Sequence, residues 1–115
     1  MTSRSACLRR ALRWIEENYA QEDCLAALPD AAGTSARHLQ RLFKTHLGMR
    51  PLQYLLDLRL DRARLLLSES DLAVQDVAEA CGFGSGGRFA KHFRQKFGVT
   101  PSRFSPLAAS EGQAR

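Results

Sequence analysis

The sequence predicts an all-α protein in which a short helix, a glycine turn and a longer helix occur twice. One observation is an internal repeat within the 115 residues, in which residues 35–48 match residues 85–98 at a constant offset of 50 positions. A second is that apolar side chains follow the period of an amphipathic helix in both copies and in the segments that flank them. A third is that 44% of the residues are hydrophobic, so a chain of this size buries a core without metal or disulfide support.

The repeat extends beyond its best-matched stretch. Upstream, Gly33 matches Gly82 at an offset of 49, which places one inserted residue in the turn of the second copy. So many matches indicate an internal duplication, and two copies are too few for a solenoid. Within and after the long helices, the matched apolar pairs are Leu39 with Phe89, Phe43 with Phe93, Leu47 with Phe97, Pro51 with Pro101, and Tyr54 with Phe104.

The first copy follows an amphipathic helix that is predicted over residues 5–19. Residues 25–32 then form the short helix, and a glycine turn separates it from the long helix. Thr34 or Ser35 caps the long helix, because a side-chain hydroxyl accepts a hydrogen bond from a free N–H group of the first turn. The long helix stops at Gly48, a residue type that readily takes the left-handed conformation found at helix ends.

A single longer helix is predicted between the copies, over residues 51–68. Pro51 suits its first position, where the missing N–H group would have no partner within the helix. At a rise of about 1.5 Å per residue, this helix is about 27 Å long. In the second copy, residues 74–81 form the short helix and residues 85–97 the long one, and a brief helical turn leads from Pro101 to Phe104.

The predicted domain boundaries follow from these elements. They are a disordered N-terminus at residues 1–7, a first subdomain at 8–50, the linker helix at 51–68, a second subdomain at 69–104 and a disordered tail at 105–115, which is rich in Ala, Ser and Gly.

The distribution of charge is more informative than the formal net charge of +5. Residues 31–56 and residues 80–110 contain no acidic residue, and all twelve carboxylates lie outside these two zones. Each zone carries basic residues and one long helix of the repeat. Because a carboxylate facing DNA would be repelled, two acid-free basic zones are what a polyphosphate partner requires.

The long helix of each copy presents one polar face. In the first copy this face carries Arg37, Gln40, Arg41 and Lys44, and in the second it carries Arg88, Lys91, Arg94 and Gln95. A short helix, a tight glycine turn and a helix with one basic face form a helix-turn-helix unit. The sequence therefore predicts two helix-turn-helix subdomains joined by a long linker helix, which is able to hold two recognition helices about one DNA turn apart, near 34 Å.

Other functional classes find little support in the sequence. The cysteines and histidines lack the short spacing of a metal site, so we expect reduced thiols, at least one of them buried, and no metal or cofactor. The sequence shows no Ser/His/Asp or Cys/His set and no glycine-rich phosphate loop after a strand. Nothing in it therefore indicates an enzyme. The sequence has no apolar run of about 18 residues and no signal peptide, which predicts a cytoplasmic protein without a membrane partner.

A set of residues spread over most of the chain forms a recognisable pattern: Ser35, Leu39, Arg41, Phe43, Gly48, Pro51 and Tyr54, then Arg59, Leu60, Ala63, Leu66 and Leu67, then Val77, Ala78, Cys81, Gly82 and Phe83, and finally Phe89, Phe93, Gly98, Thr100 and Pro101. Over about residues 8–104 this pattern resembles the AraC/XylS family of transcription regulators. The resemblance implies seven helices and insertion of both recognition helices into successive major grooves of double-stranded DNA. It also implies a nucleoid-associated bacterial regulator, an activator or a repressor, with RNA polymerase as a further partner. The chain is then either the DNA-binding module of a full-length protein with a sensor or dimerisation domain, or a short stand-alone member.

The resemblance also implies which residues contact DNA. The base-contacting positions correspond to Arg37, Gln40, Arg41, Arg88 and Lys91. Arginine suits guanine O6 and N7, and glutamine suits adenine N6 and N7. The phosphate-contacting set is Ser35, His38, Lys44, Ser85, Gly86, Gly87, Arg94 and Lys96.

Two departures from the family pattern alter these expectations. Gly86 and Gly87 stand at base-contacting positions, where glycine offers no side chain, so we expect the second unit to bind chiefly the DNA backbone. Pro29 replaces an alanine in the first short helix. Since proline inside a helix costs about 3 kcal/mol or more, that helix begins later or kinks there.

The alternative is a helical protein-interaction domain whose basic faces are merely solvated. That interpretation must explain why the basic faces recur at equivalent places in a duplicated motif and why acidic residues are absent from both zones. A steep fall of DNA affinity with salt, together with discrimination between sequences, separates the two hypotheses.

Overall fold

The computed structural model describes residues 4–104, and those residues form helices and turns without a β-strand. This confirms the predicted all-α class. The elements are α1 (Arg4–Asn18), α2 (Leu28–Ala32), α3 (Ala36–Leu47), α4 (Pro51–Glu69), α5 (Val74–Ala80), α6 (Gly86–Phe97) and a 3-10 helix (Pro101–Phe104).

The chain divides into two compact units between Leu58 and Arg59, which is inside α4. The sequence predicted the linker helix as a segment of its own, whereas each half of α4 belongs to the unit on its side. One helix-turn-helix lies in each unit, formed by α2 and α3 in the first and by α5 and α6 in the second.

The first unit is built on one cluster of buried side chains from α1, α2, α3 and the start of α4. Ile15 and Phe43 are fully buried in it, and the edge of the Phe43 ring faces Tyr54 at a centroid distance of 5.9 Å and an interplanar angle of 77°. Trp14 packs against the cluster, and its Nε1 donates a hydrogen bond to the Cys24 carbonyl oxygen at 2.9 Å. This bond ties the segment between α1 and α2 to α1.

The second unit has an aromatic core centred on Phe93. Its ring lies 5.5 Å from Phe89, 4.6 Å from Phe97 and 5.5 Å from Phe104, measured between centroids. Aromatic pairs of this kind add about 0.5–1.5 kcal/mol each beyond the area they bury. Phe89 and Phe97 stand where the first unit has Leu39 and Leu47, so the second unit has additional ring contacts that fix α6 against it.

The two long helices begin and end alike. Ser35 and Ser85 are the N-caps, and their Oγ atoms accept hydrogen bonds from the His38 and Arg88 backbone N–H groups at 3.1 and 3.3 Å. The cap of α3 is thus Ser35 rather than Thr34. Gly48 and Gly98 end the helices with φ values of +70° and +78°, where a side chain would be strained.

Three sequence expectations need correction. The first short helix begins at Leu28 rather than at residue 25, and Pro29 lies in its first turn, where its fixed φ is tolerated. Disorder was predicted for residues 1–7 although a helix was also predicted from residue 5, and residues 4–7 belong to α1. The predictions for residues 1–3 and 105–115 lie outside the described residues. The apolar residues of the predicted linker helix follow a helical period that includes Leu52, which indicates a buried side chain, but Leu52 is 52% exposed.

Candidate nucleic-acid interface

The outward face of α3 brings together the predicted side chains of the first unit. Arg37, Gln40, Arg41 and Lys44 are all exposed, while Leu39, Leu42 and Phe43 anchor the opposite face of the helix in the core. Among the described residues, no carboxylate forms an ion pair with these three basic side chains. Their donors are therefore available to an external anion or to base edges.

Ser35 and His38 stand at the start of the same helix. The Oγ of Ser35 accepts the hydrogen bond from the His38 backbone N–H, so the hydroxyl proton of Ser35 remains free to donate outward. Because the side chain is exposed, its capping role and its predicted phosphate contact are compatible.

The outward face of α6 carries the predicted basic residues of the second unit. Arg88, Lys91 and Arg94 are exposed, and Lys91, Arg94, Gln95, Ala90 and Thr100 line one open depression. The absence of carboxylates from this lining agrees with the acid-free zone seen in the sequence.

Lys96 lies apart from that face. Its Nζ is 3.2 Å from Asp61 Oδ1 on α4 and 5.6 Å from the centroid of the Phe97 ring. Five helical positions separate it from Lys91, which is a rotation of about 140° around the axis. The structure therefore directs Lys96 toward α4 and does not bring it to the other predicted phosphate contacts. Sequence spacing alone could have indicated this, but the ion pair with Asp61 could not be foreseen.

The register of the repeat relates the two faces residue by residue. Arg41 and Lys91 occupy equivalent positions, as do Lys44 and Arg94. Arg88 is equivalent to His38, although the resemblance assigns a base contact to one and a phosphate contact to the other. The two long helices thus both carry basic residues at the positions of Arg41 and Lys44, but they differ at the position of His38.

The glycines at the start of α6 differ in their surroundings. A Cβ atom at Gly86 would lie 2.7 Å from Oε1 of Gln75, whereas a Cβ atom at Gly87 would have no heavy atom within 4 Å. Gly86 thus accommodates a neighbouring side chain, and Gly87 leaves open space. Sequence analysis overlooked Gln75, since nothing in the pattern of α5 distinguishes it from a solvated residue.

Three further features of residues 4–104 concern thiols, metal sites and membrane helices. Cys7, Cys24 and Cys81 are buried and form no disulfide bond. Burial raises the pKa of the Cys81 thiol to about 11, opposed in part by the nearby Arg59 charge. The described residues contain no group of three or more His, Cys, Asp and Glu side chains placed to hold a metal ion. None of the helices in residues 4–104 combines the length and hydropathy needed to cross a membrane.

Comparison with known proteins places this arrangement in a family. A family model described as a helix-turn-helix domain matches residues 28–106, more than half of the chain. The chain is 35% identical to a transcriptional regulator of Chromobacterium violaceum with an AraC-type DNA-binding domain, with a TM-score of 0.82 over 91% of this chain and 94% of that one. The chain belongs to the AraC/XylS family.

Two further relatives of this AraC/XylS-family chain are informative. It is 40% identical over 100 residues to the HTH-type transcriptional activator RhaS of Salmonella schwarzengrund, which covers 87% of this chain but 36% of the relative. The chain therefore spans about a third of the length of the curated relatives that it matches. The DNA-binding domain of AdpA, solved in complex with a target DNA, is 33% identical with a TM-score of 0.77, covering 94% of this chain and 95% of that one.

Proposed function

We propose that this AraC/XylS-family chain binds double-stranded DNA at specific sequences and thereby regulates transcription. The observation that carries the proposal is the pair of equivalent, serine-capped helices, α3 and α6, whose outward faces are basic and lie in acid-free stretches of the chain. An α-helix of this kind fits the major groove, where each base pair presents a distinct pattern of donors and acceptors.

In the first unit, α3 supplies side chains suited to base edges. Arg37 and Arg41 present planar guanidinium groups that match guanine O6 and N7, and Gln40 presents an amide that matches adenine N6 and N7. Lys44, with Ser35 and His38 at the start of the helix, contacts the flanking phosphates. The first unit thus supplies most of the sequence specificity.

In the second unit, α6 supplies fewer base contacts and more backbone contacts. Arg88 and Lys91 face the groove, whereas Arg94, Ser85 and the backbone N–H groups of Gly86 and Gly87 face phosphates. We place Lys96 outside this contact set, because its ammonium group is paired with Asp61 within the unit.

The wider role is inferred from the relatives. The matched RhaS proteins are named transcriptional activators and are much longer than this chain, which supports a proposal of activation with a sensor or dimerisation domain in the full-length protein. Activation brings RNA polymerase in as a further partner, and a role on bacterial DNA places the protein at the nucleoid, in the cytoplasm.

The test is a mobility-shift series with the 115-residue chain. We expect retention of a duplex selected from a random pool, weaker retention of a scrambled duplex, and a steep linear fall of log affinity with log salt concentration. Absence of any DNA retention at low salt would overturn the proposal in favour of the protein-interaction domain with solvated basic faces.

The predicted phosphate contacts provide a sharper test with a matched control. Because Arg94 is exposed on α6 and is proposed to contact a phosphate, Arg94→Ala weakens binding to all duplexes alike and lowers the salt slope by about one unit. Lys96→Ala removes an equal charge from the same helix, but that charge is paired with Asp61, so the slope stays at the wild-type value. A base-selective loss in Arg94→Ala would show that the face of α6 is assigned wrongly.

A further inference from the structure

We propose that Gln75 of α5 is a DNA-backbone contact of the second unit, donating a hydrogen bond from its side-chain amide to a phosphate oxygen. The inference rests on the proposed DNA-binding function and assigns a contact outside the recognition helix. It follows from the position of the Gln75 amide, from its free donors, and from a difference between the two units in where the long polar residue and the small residue stand.

The Gln75 side chain lies against the first turn of α6. Its Oε1 is 2.7 Å from the point that a Cβ atom at Gly86 would occupy, so the amide fills the volume where an alanine side chain would begin. Gln75 itself is exposed and is the second residue of α5. The amide is therefore held at the surface beside the turn that is proposed to enter the groove.

The donors of this amide are available. Among the described residues, Gln75 has no hydrogen-bond partner for its side chain. Because the amide oxygen is turned toward Gly86, the Nε2 group is left to donate elsewhere. An exposed NH₂ group offers two donors and no acceptor, which suits a phosphate oxygen.

The equivalent region of the first unit has the opposite arrangement. Upstream of the turn, the offset of 49 places Ala26 opposite Gln75, and in the long helix the offset of 50 places Ala36 and Arg37 opposite Gly86 and Gly87. The first unit has its long polar side chain on the recognition helix and a small residue on the segment before it. The second unit has glycines on the recognition helix and the long polar side chain on α5.

This exchange favours a phosphate contact over a base contact. In helix-turn-helix proteins the supporting helix crosses the DNA backbone while the recognition helix lies in the groove. A side chain that reaches DNA from α5 therefore meets phosphates first. Gln75 thus supplies from α5 a polar contact to the DNA backbone, whereas in the first unit the long polar side chain, Arg37, lies on α3 and is proposed to contact a base.

The experiment compares wild-type chain with Gln75→Ala by filter binding on a selected duplex and on a scrambled duplex, across a salt series. We expect affinity to fall about three- to tenfold on both duplexes, the range for one lost hydrogen bond. The salt slope stays unchanged, because a neutral amide releases no counterion. Gln21→Ala, which removes an exposed glutamine from the turn after α1, leaves affinity unchanged.

A second variant moves the polar side chain back to the recognition helix. Gln75→Ala combined with Gly87→Arg regains affinity and steepens the salt slope by about one unit, because the space around Gly87 is open and the added group is charged. Thermal melting of each variant verifies that the fold is intact.

The outcomes separate this inference from the function on which it rests. If wild-type chain binds DNA and Gln75→Ala binds equally well, the inference is wrong and the proposed function stands. A loss confined to the selected duplex makes Gln75 a base contact and overturns the phosphate assignment. If wild-type chain retains neither duplex, the proposed function itself fails.

Discussion

Arg41 and Lys91 occupy equivalent exposed positions on α3 and α6, yet their side chains offer hydrogen-bond donors in different arrangements. The guanidinium group of an arginine is a planar fork that matches two acceptors of one guanine, whereas the ammonium group of a lysine is a compact charge with freely rotating donors. Equivalent placement therefore does not give equivalent selectivity. We expect the first unit to discriminate between sequences more strongly at this position.

Replacing Arg41 tests this expectation. Arg41→Ala lowers the free energy of binding to a selected duplex by about 1–3 kcal/mol and relaxes the preference at one base pair, because the bidentate contact is lost. Competition binding against duplexes that vary one base pair at a time measures the effect. An equal loss on random DNA would make Arg41 a phosphate contact instead.

The buried thiol of Cys81 makes the free energy of unfolding depend on pH in the alkaline range. Because burial raises its pKa from the usual value near 9 to about 11, the folded protein retains the thiol proton in a range where the unfolded chain has lost it. The resulting stabilisation is complete below about pH 9 and is lost as the pH rises toward 11. Burial, reinforced by Glu16, also raises the pKa of Tyr54, which acts in the same direction.

Urea denaturation at a series of pH values measures this linkage. The free energy of unfolding falls between about pH 9 and 11 in the wild-type chain, and Cys81→Ala, although less stable, shows a shallower decline. An identical decline in the two proteins would show that Cys81 does not titrate differently on folding.

Among the elements, α6 combines a weak start with a firmly packed body. Gly86 and Gly87 open the helix, and each glycine costs about 0.5–1 kcal/mol relative to alanine at a helical position. Phe89 and Phe93 are fully buried one and two turns further on. The first turn of α6 thus depends on the Ser85 cap and on the aromatic core rather than on its own helix propensity.

Two glycine substitutions test this account, because we expect them to change the free energy of unfolding in opposite directions. Gly87→Ala raises the free energy of unfolding by about 0.5–1 kcal/mol, because the site has open space and no positive φ. Gly98→Ala lowers it, since Gly98 has a φ of +78° that alanine adopts only with strain. Urea titration compares both with wild type, and a loss of stability in Gly87→Ala would contradict the account.

Much of this element structure could be predicted from the sequence. The duplicated apolar spacing, the serine caps and the terminal glycines fixed the type and approximate ends of α3 and α6, because these are local properties of the chain. The start of α2 was predicted three residues too early, since apolar spacing continues through residues 25–27 although they form turns. Pro29 indicated either a later start or a kink, and the structure has the later start, with Pro29 in the first turn of α2.

The candidate site was predictable only where it depends on one helix. Periodicity placed Arg37, Arg41 and Lys91 on outward faces, and the structure exposes all three. The pairing of Lys96 with Asp61 and the approach of Gln75 to Gly86 join residues on different helices. Contacts of that kind depend on tertiary packing, which the spacing of residues along one helix does not contain.

At the scale of the whole molecule, each compact unit carries one recognition helix, and a single unbroken helix, α4, runs through both units. We expect both recognition helices to contact DNA in one complex. Selection from random DNA with the purified chain is therefore expected to give two conserved blocks about one helical turn, 10–10.5 base pairs, apart. The first block is the more selective. A single conserved block would show that one unit alone binds specifically.

The uneven distribution of aromatic residue types gives the two units different optical properties. The one tryptophan, Trp14, and both tyrosines, Tyr19 and Tyr54, lie in residues 1–58. Among Phe, Tyr and Trp, residues 59–115 contain only phenylalanine. Trp14 is held against the core by its hydrogen bond to Cys24, so its emission changes when that unit unfolds. Tryptophan fluorescence therefore follows the first unit alone, while far-ultraviolet circular dichroism follows the helices of both. Recording the two signals on one unlabelled sample shows whether the units unfold together or in turn.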